Sequence, residues 1–178
     1  MKSIKARFGV LIKDSINILG LRILNLVYPF IIIGLISDFE EFRGVYVFNL
    51  SIIFALKLFS IGTNDTIGIN VISLENGKRK EKLVSELFFT QCVIVLIFGI
   101  LLKLIFYEKL NLLFILLLSL DFNWIYIGLK NEKSILIFNT ILKLFSIIST
   151  IVLVNNGLVG NEIMYTIGFI HLGMLIYT

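Results

Sequence analysis

Cysteine, proline and histidine are almost absent from this chain, and charged residues are sparse. Its 178 residues include one of each of these three, and only 16% of them are charged, against about 25% in soluble domains. A lone cysteine, Cys92, excludes a disulfide framework or a thiolate metal cluster within one chain. The low charged fraction argues against a soluble globular domain.

The sequence also lacks the short motifs that carry catalysis or cofactor binding. It has no Gly-x-x-x-x-Gly-Lys phosphate loop, no Gly-x-Gly-x-x-Gly fingerprint and no His-Glu-x-x-His zinc motif. One histidine and one cysteine cannot supply paired His or Cys ligands. We therefore expect no enzyme activity, no catalytic residues, no cofactor, no metal and no nucleic-acid partner.

Long apolar runs are what the sequence has instead, with hydrophobic residues making up 58% of the chain. The first run, residues 16–36, would reach about 30 Å as an α-helix, which matches the hydrocarbon core of a bilayer. Five more runs follow. The pattern predicts an all-α, polytopic membrane protein, with one transmembrane domain over residues 1–178 and six spans at 16–36, 45–61, 87–107, 110–127, 135–154 and 163–178.

Two segments beside these runs are predicted not to cross the membrane. The basic N-terminus, residues 1–15, is interpreted as a short surface helix before an uncleaved first span, because no small-x-small cleavage site follows that span. Residues 62–74 contain two glycines and fit a helix end or an interfacial element. The sixth run stops at the end of the chain, so we expect either a shorter helix or a fragment of a longer polypeptide.

The distribution of lysine and arginine predicts the orientation. Ten of these residues lie in the N-terminal segment and in the loops on its side of the membrane, whereas only Arg43 and Lys109 lie in the loops on the other side. Because cytoplasmic loops carry the excess of basic residues, we expect a cytoplasmic N-terminus.

The first span carries a charge where hydrocarbon is expected. An arginine within a span costs on the order of 3 kcal/mol or more unless it meets a polar cavity, a partner or the interface. Arg22, Asn25 and Pro29 share one helical face, which should look into protein or water. The opposite face should look at lipid or other helices, and comprises Leu19, Ile23, Val27 and Phe30.

A polar stripe on the second span and a lysine in the fifth extend this pattern. The stripe consists of Asn49, Ile53, Lys57, Ser60 and Asn64. If it meets the polar face of the first span, the two would line a positive cavity suited to an anionic group such as pyrophosphate, to which Lys143 could add. The candidate substrate-binding residues are thus Arg22, Asn25, Lys57, Asn64 and Lys143.

Simpler interpretations exist for each charged residue. Lys57 and Lys103 could extend to an interface, and Arg22 could pair with Asp14 or a lipid phosphate. Asp65 and Asp121, near the cytoplasmic ends of their spans, are either charge partners at that interface or coupling residues for protons or ions. His171 is interpreted as a hydrogen-bonded packing residue.

Short motifs spaced along the chain resemble a known family. They are Phe42–Phe48 at the entry to the second span, Asp65-Thr66 followed by the basic loop GKRKEK, and the aromatic segment Asn123–Gly128. In these the sequence resembles the polysaccharide biosynthesis proteins, the O-antigen flippase branch of the multidrug/oligosaccharidyl-lipid/polysaccharide exporter superfamily.

The resemblance implies a function, a partner and a location. It implies the N-terminal lobe of a two-lobed transporter that flips a polyprenyl-pyrophosphate-linked oligosaccharide across the bacterial inner membrane. The family uses basic side chains from its first helices to hold the pyrophosphate, and the resemblance implies this role for Arg22 and Lys57. A second lobe or a second copy of the chain would then complete the cavity, and membrane lipid would surround it.

Two other functions remain open. A drug or cation antiporter of the same fold would need acidic cavity residues, whereas the first two spans present Arg22 and Lys57. A small membrane scaffold or assembly protein would use the polar residues only to hold helices together. In that case Arg22→Ala would impair folding or abundance without a separate transport defect.

Overall fold

The computed structural model describes the backbone of residues 2–74, 78–107, 109–120 and 132–177, and the side chains of residues 15–57, 79–107, 109–120 and 133–173. The described backbone is α-helical apart from the turns between helices, and it contains no strand. The predicted all-α class is therefore confirmed. In chain order the helices are α1 (Lys2–Leu35), α2 (Glu40–Leu74), α3 (Lys78–Ile105), α4 (Leu112–Ser119), α5 (Glu132–Asn155) and α6 (Asn161–Tyr177).

Three of these helices contain segments that are long and apolar enough to cross a membrane. The segments are Ser15–Leu35 in α1, Arg79–Ile105 in α3 and Lys133–Asn155 in α5. α4 has 8 residues, about 12 Å of helix, and residues 121–127 of the predicted fourth span lie outside the described residues. The count of six spans stays a prediction.

The first two helices are longer than the sequence predicted. α1 runs without a break for 34 residues, about 51 Å, so the N-terminal segment continues the first helix and is not a separate surface helix. α2 likewise continues beyond the second run, and residues 62–74 form its C-terminal end, which is one of the two interpretations expected for this segment. A glycine inside a helix costs only about 1 kcal/mol relative to alanine, so two glycines need not end one.

Hydrogen bonds to main-chain groups define the turns. At the end of α5, the Leu158 N–H donates to the Leu153 carbonyl at 3.0 Å and the Gly157 N–H donates to the Val154 carbonyl at 3.0 Å. Gly157 takes a φ of 71°, the left-handed conformation that this Schellman arrangement requires. At the start of α4, the Asn111 side chain accepts a hydrogen bond from the Phe114 N–H at 3.0 Å, which is an N-cap.

Helix packing decides which side chains meet. α1 packs mainly along α5, α5 also packs on α6, and α4 packs against α2, α3 and α6, whereas α1 and α2 have little contact. The main core lies between α1, α2, α4 and α6 and includes Ile32, Tyr46, Phe114 and Ile163, all fully buried. The predicted outward face of α1 is exposed, from Leu19 to Phe30.

Candidate functional site

A cavity of about 330 Å³ lies between α1, α2, α5 and α6, beside the end of α4. Its walls are largely apolar, with Leu50 and Phe54 from α2 and Ile170 from α6. The cavity is therefore a space between helices in which a few polar groups set the chemistry. The polar lining residues are Asn25, Tyr28, Lys57, Asn139, Lys143, Ser146 and His171.

Four of these residues join α1 to α5, and we call them the α1–α5 clasp: Asn25, Tyr28, Lys143 and Ser146. The Lys143 ammonium donates a hydrogen bond to Asn25 Oδ1 and lies 5.2 Å from the centre of the Tyr28 ring. The Tyr28 hydroxyl and Ser146 Oγ are 2.5 Å apart and hydrogen-bonded. Each helix contributes two residues three positions apart, which places both on the same helical face.

The charged residues among the described part of the lining are basic. Lys57 of α2 and Lys143 of α5 both line the cavity, and none of its described lining residues is acidic. Apolar walls lower the local dielectric and strengthen the field of a cation over that in water. Ammonium groups beside amide and hydroxyl groups can bind a phosphate or another compact anion.

The predicted candidate residues fall into three groups. Asn25, Lys57 and Lys143 come from three different helices and line the same cavity. Arg22 is exposed on α1 and does not line it. The side chains of Asn64 and Asp65, and the whole of Asp121, lie outside the described residues.

Helical geometry accounts for the exposure of Arg22. The cavity face of α1 is given by Asn25, Tyr28 and Pro29. With about 100° between successive residues, Arg22 falls at the edge of this face, next to the exposed Ile23. Of the three residues predicted to share one polar face of the first span, Asn25 and Pro29 line the cavity and Arg22 does not.

The polar faces of the first two spans do not pack against each other. The partner of Asn25 is Lys143 on α5, and α2 reaches the same cavity from another side through Ile53 and Lys57. Asn49, at the start of the predicted stripe, belongs elsewhere, because it is fully buried and bonded to the α3–α4 turn. The cavity therefore depends on α5, which the first two spans alone did not reveal.

Sequence reasoning missed Tyr28, Asn139 and Ser146. A tyrosine or serine in an apolar run is usually a packing or interfacial residue, so neither stands out alone. The available signal was spacing: Tyr28 stands three residues after Asn25, and Ser146 three after Lys143. His171 was interpreted as a packing residue and lies in the cavity wall.

A second group of polar side chains, the turn cluster, lies where the α3–α4 turn meets α2 and α6: Asn49, Lys103, Asn111 and Asn161. Asn49 Nδ2 donates to the carbonyls of Val45 and Lys109, both at 2.8 Å. Its Oδ1 accepts from the Asn111 N–H at 2.8 Å. Asn111 Nδ2 then donates to Asn161 Oδ1 at 3.0 Å. These bonds fasten the turn to two helices.

Lys103 completes this cluster from the end of α3. Its ammonium donates to the carbonyl oxygens of Tyr107 at 2.5 Å and Leu110 at 2.7 Å, and lies 5.1 Å from the centre of the Tyr107 ring. A cation is favourable at a helix C-terminus, where carbonyl groups lack helical partners. The Lys103 side chain was expected to extend to an interface, whereas in the structure it caps the α3–α4 turn.

Among the described residues, no group of three or more His, Cys, Asp or Glu side chains is placed to hold a metal ion. Comparison with protein-family models, with curated proteins and with solved structures finds no match to the chain. The resemblance drawn from the sequence motifs therefore stays a prediction.

Proposed function

We propose that this chain forms part of a membrane transporter that flips a polyprenyl-pyrophosphate-linked oligosaccharide, and that it holds the anionic head of this substrate in the cavity. The observation that carries the proposal is the meeting of Lys57 and Lys143 in one cavity whose walls are otherwise mostly apolar. Pyrophosphate carries several negative charges, and two ammonium groups from different helices can bind it from different sides.

The apolar surfaces suit the rest of such a substrate. Phe54 and Ile170 of the cavity wall provide contacts for the first part of a lipid chain. α1 from residue 15 onward, α3 and α5 carry exposed apolar side chains along their described parts, which fits immersion in a bilayer. We include in the proposal six spans, a cytoplasmic N-terminus and a bacterial inner membrane.

Movement of the substrate across the bilayer requires a second element. In alternating access, one bundle rocks against another around a binding site between them. A second lobe or a second copy of the chain would supply that element. The positive lining argues against a drug or cation antiporter, which would need acidic groups in the cavity.

A scaffold protein is the second candidate, and one observation favours it. The Lys143 ammonium already contacts Asn25 and the ring of Tyr28, so it could serve only to hold α1 against α5. A scaffold has no need to bind a soluble anion, whereas the transporter must bind the head of its substrate. Anion binding therefore separates the two candidates.

The test is pyrophosphate binding to the purified full chain in lipid nanodiscs, measured by isothermal titration calorimetry. Lys57→Met and Lys143→Met remove the charge and keep most of the side-chain volume. A lost charged hydrogen bond is worth about 1.5 to 3 kcal/mol, so each variant should bind about tenfold more weakly or worse. Lys133→Met is the matched control, because Lys133 is exposed on α5 and does not line the cavity.

A further variant, Arg22→Gln, tests the arginine that the sequence analysis selected because a charge within a membrane span is costly. Since Arg22 does not line the cavity, this variant should bind pyrophosphate as the unaltered chain does. Failure of the unaltered chain to bind pyrophosphate would favour the scaffold. A positive result leads to a flipping assay in proteoliposomes, with a lipid-linked oligosaccharide and a glycosidase that acts only outside the vesicles.

A further inference from the structure

A second cavity, which we call the turn pocket, lies beside the turn cluster. Its volume is about 330 Å³, and its wall includes Lys103, Lys109, Asn111, Asn161 and Tyr165. Lys103, Asn111 and Asn161 belong to the turn cluster and form hydrogen bonds within the fold, so they shape the pocket. The side chains of Lys109 and Tyr165 are exposed, and they can contact a ligand.

The turn pocket lies where an apolar helical segment ends. The segment of α3 that is long enough to cross a membrane is Arg79–Ile105, and the turn that carries Lys109 follows it. Leu104 at the end of this segment and Tyr107 in the turn are 74% and 75% exposed. In a bilayer, acyl chains cover an exposed leucine at such a position, and tyrosine is favoured at the level of the headgroups. The pocket therefore lies at the depth of the lipid headgroups.

The charged residues in the described lining of the turn pocket are Lys103 and Lys109. The Lys103 ammonium bonds to main-chain carbonyl oxygens and keeps its positive charge in the wall. Lys109 is exposed, and an ion pair at an exposed position contributes little to stability. A lysine there stays available to a stronger anion such as a phosphate. Lysine residues close to a membrane surface attract anionic headgroups.

We propose that the turn pocket binds the headgroup phosphate of an anionic phospholipid, with Lys109 as the main contact and Lys103 adding to the attraction. The acyl chains then lie against the exposed apolar side chains at the end of α3. A soluble phosphate shares the same headgroup chemistry, but the lipid is favoured because the pocket adjoins an apolar surface. The proposal requires that α3 crosses a bilayer, and it does not require pyrophosphate binding in the first cavity.

Displacement of tritiated phosphatidylglycerol from the immobilised full chain, in detergent micelles, tests the turn pocket. Unlabelled phosphatidylglycerol should compete about fivefold better than phosphatidylcholine with the same acyl chains. Lys109→Gln should lower the affinity for phosphatidylglycerol by about fivefold. This variant keeps the Lys109 main-chain carbonyl that Asn49 bonds, so its thermal unfolding midpoint should match that of the unaltered chain.

Arg43→Gln is the matched control. It also removes one positive charge near the start of α2, two residues before Val45 of the pocket wall, but Arg43 does not line the pocket. Lys109→Arg keeps the charge and should bind phosphatidylglycerol within about threefold of the unaltered chain. The proposal fails if Lys109→Gln binds this lipid as tightly as Arg43→Gln does, or if Lys109→Arg binds it as weakly as Lys109→Gln.

A last competitor separates the lipid from a soluble phosphate. Glycerol phosphate carries the headgroup phosphate without acyl chains, so it should displace phosphatidylglycerol only at far higher concentrations than the unlabelled lipid. Equal potency of the two would make the pocket a site for soluble phosphates and overturn the lipid assignment, as would equal competition by phosphatidylcholine and phosphatidylglycerol. Lys57 and Lys143 are unchanged in all these variants, so the outcome is independent of pyrophosphate binding in the first cavity.

Discussion

The two polar clusters of this molecule use the same residue types for different ends. In the turn cluster, Asn49 and Lys103 direct their hydrogen bonds mainly to main-chain groups of the α3–α4 turn and the residues beside it. In the α1–α5 clasp, side chains bond to side chains and border a cavity. One cluster completes the backbone hydrogen bonding, whereas the other surrounds space that a ligand can enter.

This difference teaches how to interpret a polar residue between apolar helices. Turn and helix-end groups that lack regular partners must be satisfied by something, and a buried asparagine or lysine can do so. Such a residue supports the fold and has little capacity left for a ligand. A polar residue whose partners are other side chains beside a cavity keeps that capacity. The predictions below test this division by comparing stability with binding.

The largest effect on stability is expected for Asn49→Leu. Leucine has a similar shape but leaves the Lys109 carbonyl and the buried Asn111 N–H without the bonds that Asn49 now provides. Each buried group left unsatisfied costs about 1 to 3 kcal/mol, so the free energy of unfolding should fall by about 2 to 4 kcal/mol. Denaturant unfolding in micelles, followed by circular dichroism, measures this loss.

Ser51→Ala is the matched control for Asn49→Leu. Ser51 lies on the same helix, is exposed, and bonds only within the helix, to the Val47 carbonyl. Removal of the Ser51 hydroxyl should change the free energy of unfolding by less than about 0.5 kcal/mol. The comparison of the two clusters would break if Asn49→Leu were as stable as this control, or if it lost pyrophosphate affinity while keeping its stability.

A smaller loss is expected for Lys103→Met. Methionine keeps the aliphatic packing but removes both hydrogen bonds to the Tyr107 and Leu110 carbonyls. These atoms are partly accessible, so water can replace some of the lost bonding, and the expected cost is about 1 to 2 kcal/mol. The same denaturant unfolding measures this loss. Lys109→Met is the control, because Lys109 is an exposed lysine in the same turn. Equal stability of the two variants would contradict a capping role for Lys103.

The apolar runs predicted the helices better than they predicted their ends. The fifth run, 135–154, lies within α5, and the sixth, 163–178, overlaps α6. A helix that crosses a bilayer needs about 20 mostly apolar residues whatever its neighbours, so such a run can be recognised in the sequence. The start of α1 and both ends of α2 lie beyond the predicted runs, because basic residues and isolated glycines lower hydropathy without ending a helix.

The candidate site could be predicted in part. Asn25, Lys57 and Lys143 stand out because a polar or charged residue inside an apolar run is costly wherever the helix lies. The pairing of Asn25 with Lys143 does not stand out, because the two residues are 118 positions apart in the sequence. Their contact depends on α1 packing against α5 in preference to α2. Arg22 shows the same limit, since its cost is readable from the sequence but its exposure is not.

The smallest effect on stability is expected in the clasp itself, for Ser146→Ala. This change removes the partner of the Tyr28 hydroxyl, but the adjacent cavity leaves room for water to bond with that hydroxyl. The free energy of unfolding should fall by only about 0.5 to 1 kcal/mol. Ser149→Ala is the control, because Ser149 is a half-buried serine of the same helix that does not line the cavity. A loss as large as that of Asn49→Leu would show that the clasp supports the fold as the turn cluster does, because only a hydroxyl closed off from water would cost so much when left unbonded.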